Sequence, residues 1–265
     1  MTEYLDVDGG RIAYDVTGGD GPLVVLAPGM GVVRGTFRLL APKLAEAGYR
    51  VAALDLRGHG ESSVPFASYS ITDSGKDLAA LIRHLGGGPA VVLGNSFSSG
   101  SAAWVAAHEP ALVRAIVLEA PFARTVKMNP VMRQLARVIL SVPTLWGIYY
   151  KNLLKGPKPD DFPAYLKALK ANMGERGRLA AARTMGLDDK PEMEGVLTRV
   201  AQPALVVMGT RDPDFPDPRA EAEIVAGELA GKTEIVMIEG SGHYPHQEFP
   251  AETAATVLTF LNEVA

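Results

Sequence analysis

The sequence contains no cysteine. A disulfide framework, a thiolate zinc site and a cysteine nucleophile are therefore excluded, and the redox compartment cannot be read directly. Nor does any apolar run approach the ~20 residues of a membrane helix, and the first residues, Met1-Thr2-Glu3-Tyr4-Leu5-Asp6-Val7-Asp8, are acidic where a signal peptide would be basic. A cytoplasmic protein with no membrane partner is the expectation. There is no internal repeat, no low-complexity tract and no basic excess: 26 Lys+Arg stand against 30 Asp+Glu, a net of −4, which argues against nucleic-acid binding.

What is present is a chain able to bury a large core. Its 265 residues are 47% hydrophobic, and a chain of this size buries roughly three quarters of its surface on folding. The charge is unevenly placed. From Arg124 to Lys190 there are 13 basic and 5 acidic residues, a net of +8, so the remainder holds 13 basic and 25 acidic, a net of −12. A break of this size marks an inserted segment with a different surface role.

Hydrophobic patterning supports that division. Arg11–Val16 alternates as a half-buried strand does, behind an Asp8-Gly9-Gly10 turn. Leu23–Ala27, Tyr49–Leu54, Pro89–Leu93 and Ala115–Leu118 are near-continuous apolar runs, as in strands covered on both faces. Helical spacing around 37–47, 72–85 and 97–108 separates them. From 124 to 190 only helical patterns occur, near 131–140, 145–154, 165–171 and 178–185; strands resume at 204–208 and 234–238, with helices near 219–229 and 250–264. The alternation predicts a doubly wound, mostly parallel α/β sheet, formed by residues 1–123 and 191–265 and interrupted by a helical segment, 124–190.

Chemistry gathers at the ends of the predicted strands. Gly94-Asn95-Ser96-Phe97-Ser98 lies between a buried strand and a helix. A serine at such a turn is held in a strained conformation that needs small neighbours, and its hydroxyl is presented beside the helix's amino end. The usual pattern is Gly-x-Ser-x-Gly; here Ser98 replaces the second glycine. A Gly-x-Ser alone is as well explained by a polar turn capping a helix. A nucleophilic serine also needs a base, and the base needs a carboxylate. Of five histidines only His243, in Gly240-Ser241-Gly242-His243, lies just beyond a predicted strand. His246 is read as a capping or packing residue, His84 and His108 as ordinary helix residues, and His59 as structural. The acid belongs after the preceding strand, where Asp212, Asp214 and Asp217 compete. Asp212 is favoured because it follows the strand most closely and precedes a stiffening proline; Glu119 is a further candidate.

The order Ser96, Asp212, His243 and these strand contexts resemble the α/β-hydrolase fold family over nearly the whole chain. Pro28-Gly29-Met30-Gly31 is similar to that family's loop after the third strand, without its histidine. Asp55-Leu56-Arg57-Gly58-His59-Gly60-Glu61-Ser62 matches the loop after the fourth, and Gly242-His243-Tyr244-Pro245-His246-Gln247-Glu248 the histidine turn. The resemblance implies an eight-stranded sheet, an oxyanion site made by the backbone amides of Met30 and Phe97, and a cap formed by the 124–190 helices over the active site. Trp146, Tyr149, Tyr150, Phe162 and Tyr165 are available to line a pocket, although each taken singly reads more readily as glue between cap helices. The implied activity is a serine hydrolase acting on a small ester or thioester, with no metal or organic cofactor. Serine at the elbow argues against the family's epoxide hydrolases and haloalkane dehalogenases, which use aspartate there. Carbon–carbon bond hydrolases of ring-fission diketones, cofactor-free perhydrolases and small-ligand receptors on the same fold are the alternatives. The partner expected is a small-molecule substrate, an anionic one being the sharper reading of the basic cap. Oligomeric state is left open.

Overall fold

The computed structural model describes residues 1–125 and 128–264. In chain order, β1 (Thr2–Val7), β2 (Gly10–Thr17) and β3 (Leu23–Ala27) are followed by a 3-10 turn (Arg34–Leu39), α1 (Ala41–Glu46), β4 (Arg50–Leu54), α2 (Ile71–Leu85), β5 (Ala90–Asn95), α3 (Phe97–His108) and β6 (Val113–Glu119). Four helices come next: α4 (Pro130–Ile139), α5 (Pro143–Leu153), α6 (Phe162–Met173) and α7 (Arg178–Leu187). The chain ends with β7 (Ala204–Gly209), α8 (Pro218–Glu228), β8 (Thr233–Ile238), α9 (Pro245–Glu248) and α10 (Pro250–Glu263).

The eight strands form one sheet in the order β1-β2-β4-β3-β5-β6-β7-β8. β1 and β2 pair antiparallel, β2 joins β4 antiparallel, and the pairs from β4 through β8 are parallel. This is the α/β fold that the alternating pattern predicts. Successive side chains of a strand point to opposite faces, so the apolar run of β3 serves two cores. Leu23, Val25 and Ala27 join one cluster with α2 and α3, while Val24 and Leu26 join the other with α1 and α10. Strands buried on both faces need continuous apolar sequence, which is why β3, β5 and β7 were legible.

Local signals also fix element ends. Ser70 caps α2 by accepting the Asp73 amide at 3.0 Å, so the helix begins at Ile71, one residue before the expected start. The helix anticipated over 37–47 is instead a 3-10 turn followed by the short α1. Pro42 stands at the start of α1, where its missing N–H costs no hydrogen bond.

Helices α4 to α7 carry their own core. Trp146, Tyr150, Phe162, Tyr165 and Leu169 pack together and against Val32 and Tyr244 of the sheet domain. The parallel strands all deliver their following loops to one edge of the sheet, the edge where open α/β sheets hold ligands.

Candidate active site

Ser96 stands between β5 and α3 with φ 54° and ψ −118°. Positive φ is strained for a side-chain-bearing residue and persists only where the surroundings enforce it. Here the Ser96 amide donates to the Glu119 carbonyl at 2.8 Å, while its own carbonyl accepts from Ser99 at 3.0 Å and Phe122 at 3.2 Å. Gly94 makes the tight return possible, because a Cβ there would lie 2.2 Å from the Ser98 carbonyl oxygen. Ser98, which occupies the place of the usual second glycine, donates its hydroxyl to the Pro28 carbonyl at 2.5 Å. The substitution thus adds a tie between the elbow and the loop after β3.

That loop lies against the serine. A Cβ on Gly29 would come within 3.1 Å of the Ser96 Cβ, and Met30 and Phe97 line the same cavity as Ser96. Among the described residues neither the Met30 nor the Phe97 amide has a backbone acceptor, so both are available to a bound oxyanion. The next residue, Gly31, is clamped from two sides. Its N–H donates to His59 Nε2 at 2.8 Å and its carbonyl accepts from Trp146 Nε1 at 2.8 Å. His59 is fully buried, and its Nδ1–H donates to the Arg57 carbonyl at 2.8 Å. Burial, reinforced by the Arg178 charge, outweighs that hydrogen bond and lowers its pKa to about 4. His59 is therefore a neutral imidazole that positions the loop, in keeping with its reading as structural.

His243 follows β8. Its amide donates to the Leu153 carbonyl at 2.9 Å, tying the turn to the end of α5, and Glu248 accepts the Gly242 amide at 2.9 Å. Its Nδ1 is 2.6 Å from Asp212 Oδ2, and the other Asp212 oxygen accepts the Asp214 amide at 3.0 Å. Both side chains are buried. Burial opposes a charge on His243, but the Asp212 charge and hydrogen bond, with Asp214 and Glu119 adding, raise its pKa to about 9. The contact engages Nδ1, so Nε2 is the ring nitrogen that the carboxylate does not hold.

The competing acids occupy other stations. Asp214 Oδ2 is 3.8 Å from His243 Nδ1, beyond hydrogen-bond reach, and its other oxygen accepts the Tyr149 hydroxyl. Burial raises the Asp214 pKa against the pull of His243. Asp217 caps α8 through the Ala220 amide at 3.0 Å. Glu119 meets His246 rather than His243, with His246 Nδ1 at 2.5 Å from one carboxylate oxygen and its amide donating to the other at 3.0 Å. His246 Nε2 continues to Thr36 Oγ1 at 2.7 Å. Among the described residues the only three-member group with metal-ligand spacing is Asp212, Asp214 and His243; the short Asp212–His243 contact accounts for the same atoms as a carboxylate–imidazole pair.

Ser96, Met30, Phe97, Asp214 and His243 line a cavity of about 410 Å³. Its outer wall comes from α4, α5 and the end of α7. Of the aromatics named from sequence, Trp146 and Tyr149 reach it, whereas Tyr150, Phe162 and Tyr165 pack within the helical core. Sequence reasoning did not find the clamp on Gly31 or the Ser98 tie, because both join residues far apart in the chain. The His59 loop motif was the one available signal.

The chain belongs to the alpha/beta hydrolase family, whose pattern matches residues 24–256. It is 26% identical to the 2-(acetamidomethylene)succinate hydrolase of Mesorhizobium japonicum over 97% of this chain and 94% of that one. It is 28% identical to epoxide hydrolase A of Mycobacterium tuberculosis over 98% and 97%. The solved esterase RhEst1 from Rhodococcus sp. ECU1013 superposes with a TM-score of 0.80, 28% identity and coverage of 100% and 99%. The protein is accordingly an enzyme of the hydrolase type.

Proposed function

We propose that the protein hydrolyses a small carboxylic ester or thioester through an acyl-enzyme, with Ser96 as nucleophile, His243 as base and Asp212 as the acid that orients it. The observation that carries this reading is a strained serine sharing one cavity with a histidine whose far nitrogen is held by a buried carboxylate. His243 Nε2 removes the Ser96 proton as the oxygen attacks the carbonyl, and the Met30 and Phe97 amides receive the developing negative charge. The protonated His243 then gives its proton to the leaving alcohol or thiol. Water, deprotonated by the same nitrogen, releases the acyl group. The helices between β6 and β7, residues 124–190, act as the cap that walls the acyl pocket. Serine at the elbow favours this chemistry over epoxide opening, the reaction in the name of one relative.

A fluorophosphonate probe should label Ser96, and p-nitrophenyl esters of rising chain length should be turned over by the wild type but not by Ser96→Ala. Absence of both labelling and turnover would sink the reading and leave a ligand receptor. A second reading, an ester carrying a carboxylate, is favoured by Lys190. Lys190 lines the cavity, and its ammonium lies 6.0 Å from the Phe97 ring, donates to the Asp188 carbonyl at 3.2 Å and has no carboxylate within 4 Å among the described residues. One relative is named for a succinate-derived substrate. Including p-nitrophenyl half-esters of dicarboxylic acids in the panel separates the two, since only the second reading requires them to outperform neutral esters of equal length.

A further inference from the structure

The outer side of the cap is unusually apolar. Nine large apolar side chains are exposed among the described residues, and six of them, Val131, Met132, Leu135, Val138, Val142 and Ile148, fall on α4, α5 and their connection. Val131, Leu135, Val138 and Val142 recur at intervals of three or four residues, so on α4 and into its end they form one stripe. No residue of α4 is buried, and Val131 is 78% exposed. The same helix supplies Met132, Leu135 and Ile139 to the wall of the cavity that holds Ser96. The stripe therefore runs along the cavity's outer wall.

The charges beside it that lack an ion-pair partner among the described residues include three of one sign. Arg137 precedes Val138, Lys151 is one turn beyond the exposed Ile148, and Arg183 reaches Ser141, next to Val142, at 3.5 Å. None of the three has a carboxylate within 4 Å among the described residues, whereas Arg133 pairs with Asp189 and Arg178 with Glu175. The cap as a whole is +8 and the rest of the chain −12. A negatively charged surface would attract the cap and repel the opposite end, which turns the molecule stripe-first.

We propose that this face docks on an anionic lipid surface, with α4 lying in the interface and the cavity wall toward the lipid. The chemistry required is what the face presents: apolar side chains to enter the acyl region and cations without partners to meet lipid phosphates. A soluble polyanion would satisfy the cations but leave the stripe uncovered. The expectation of no membrane partner rests on the acidic first residues and the lack of a spanning run, neither of which concerns surface docking; no helix among the described residues is long and apolar enough to cross a membrane, and α4 at ten residues would lie along the surface instead.

The test is co-sedimentation with sucrose-loaded vesicles, equal parts phosphatidylglycerol and phosphatidylcholine against phosphatidylcholine alone, at low and high salt. Binding is read without turnover, so the result does not depend on the proposed ester chemistry. The proposal expects binding to the anionic vesicles that weakens with salt and falls at least about tenfold in the Val131→Asp/Val138→Asp double variant and in Arg137→Glu/Lys151→Glu. Neither pair lines the cavity, and both variants should keep the wild-type circular dichroism spectrum and a cooperative thermal transition, which shows that they fold. Equal binding to the two vesicle types, no binding to either, or wild-type binding by the Asp double variant would overturn it. So would a dimer in sedimentation velocity that dissociates in the Asp double variant, which would assign the face to a second copy.

Discussion

At the scale of single residues, the unusual property of the site is the basicity of His243. In its proposed role as base, a His243 with a pKa of about 9 is mostly protonated at neutral pH and cannot accept the Ser96 proton in that form. kcat/KM should therefore climb by about tenfold per pH unit through neutrality and level off near pH 9. Asp214, 3.8 Å from Nδ1, adds to that basicity without bonding the ring, so Asp214→Asn should move the profile to lower pH and keep its plateau. Asp212→Asn should instead lower the plateau by about 10⁴-fold, because an amide that donates to Nδ1 selects the wrong tautomer. Equal effects of the two changes on the plateau would contradict the division of roles. Ser98 supports a second expectation. Ser98→Gly restores the family's usual residue but removes the donor to the buried Pro28 carbonyl, an omission worth roughly 1–3 kcal/mol. A several-fold fall in kcat with KM held, together with a lower Tm, is expected, and an unchanged enzyme would show that the tie has no role.

At the scale of elements, the loop after β3 is held by one group from the loop after β4, His59, and one from α5, Trp146. Trp146→Phe keeps the ring's packing beside Tyr149 and Tyr150 but loses the bond to the Gly31 carbonyl. About a tenfold loss in kcat is expected, with labelling of Ser96 by fluorophosphonate slowed in parallel. On the other side of the loop, His59 is neutral in the fold with a pKa of about 4, while an unfolded chain binds a proton near 6.5. Between those values the unfolded state holds the extra proton, so stability is full above about 6.5 and declines as pH falls toward 4. His59→Gln, which offers Gly31 an acceptor that does not titrate, should flatten that part of a Tm–pH curve. These contacts also mark where the sequence ceased to be legible. The buried strands announced themselves because two-sided burial demands unbroken apolar runs, and Ser96 and His243 because turns at strand ends need small residues. Of the two acids weighed from chain position, Asp212 lies 2.6 Å and Asp214 3.8 Å from His243 Nδ1. Nothing local encodes the approach of Trp146 to Gly31 across 115 residues or of Ser98 to Pro28 across 70, since packing of separate elements decides both.

At the scale of the whole molecule, the net charge of −4 hides a division between a −12 sheet domain and a +8 helical segment, and the two parts cannot act on a substrate equally. The Debye length at physiological ionic strength is about 8 Å, so a small molecule near the cavity senses the charges that line its wall, while the acidic surface beyond is screened. Arg124, Arg133 and Lys190 are in that wall, with Asp188, Asp189 and Asp214. Arg124 is neutralised by Glu221 and Arg133 by Asp189, at 3.4 Å, and Asp214 is held by Tyr149. Lys190 is left as the cation without an ion-pair partner among the described residues, and burial lowers its pKa against the pull of Glu192, Asp188 and Asp189. A monoanionic ester should therefore lose several-fold in kcat/KM as salt rises from about one tenth of physiological to about twice that level, while a neutral ester of the same length should not. Lys190→Gln should remove the salt dependence for the anionic ester and raise its KM, with kcat for the neutral ester held. If both esters respond alike to salt, or if the anionic ester is helped by it, the acidic domain governs approach and the cap's charge has no part in substrate capture.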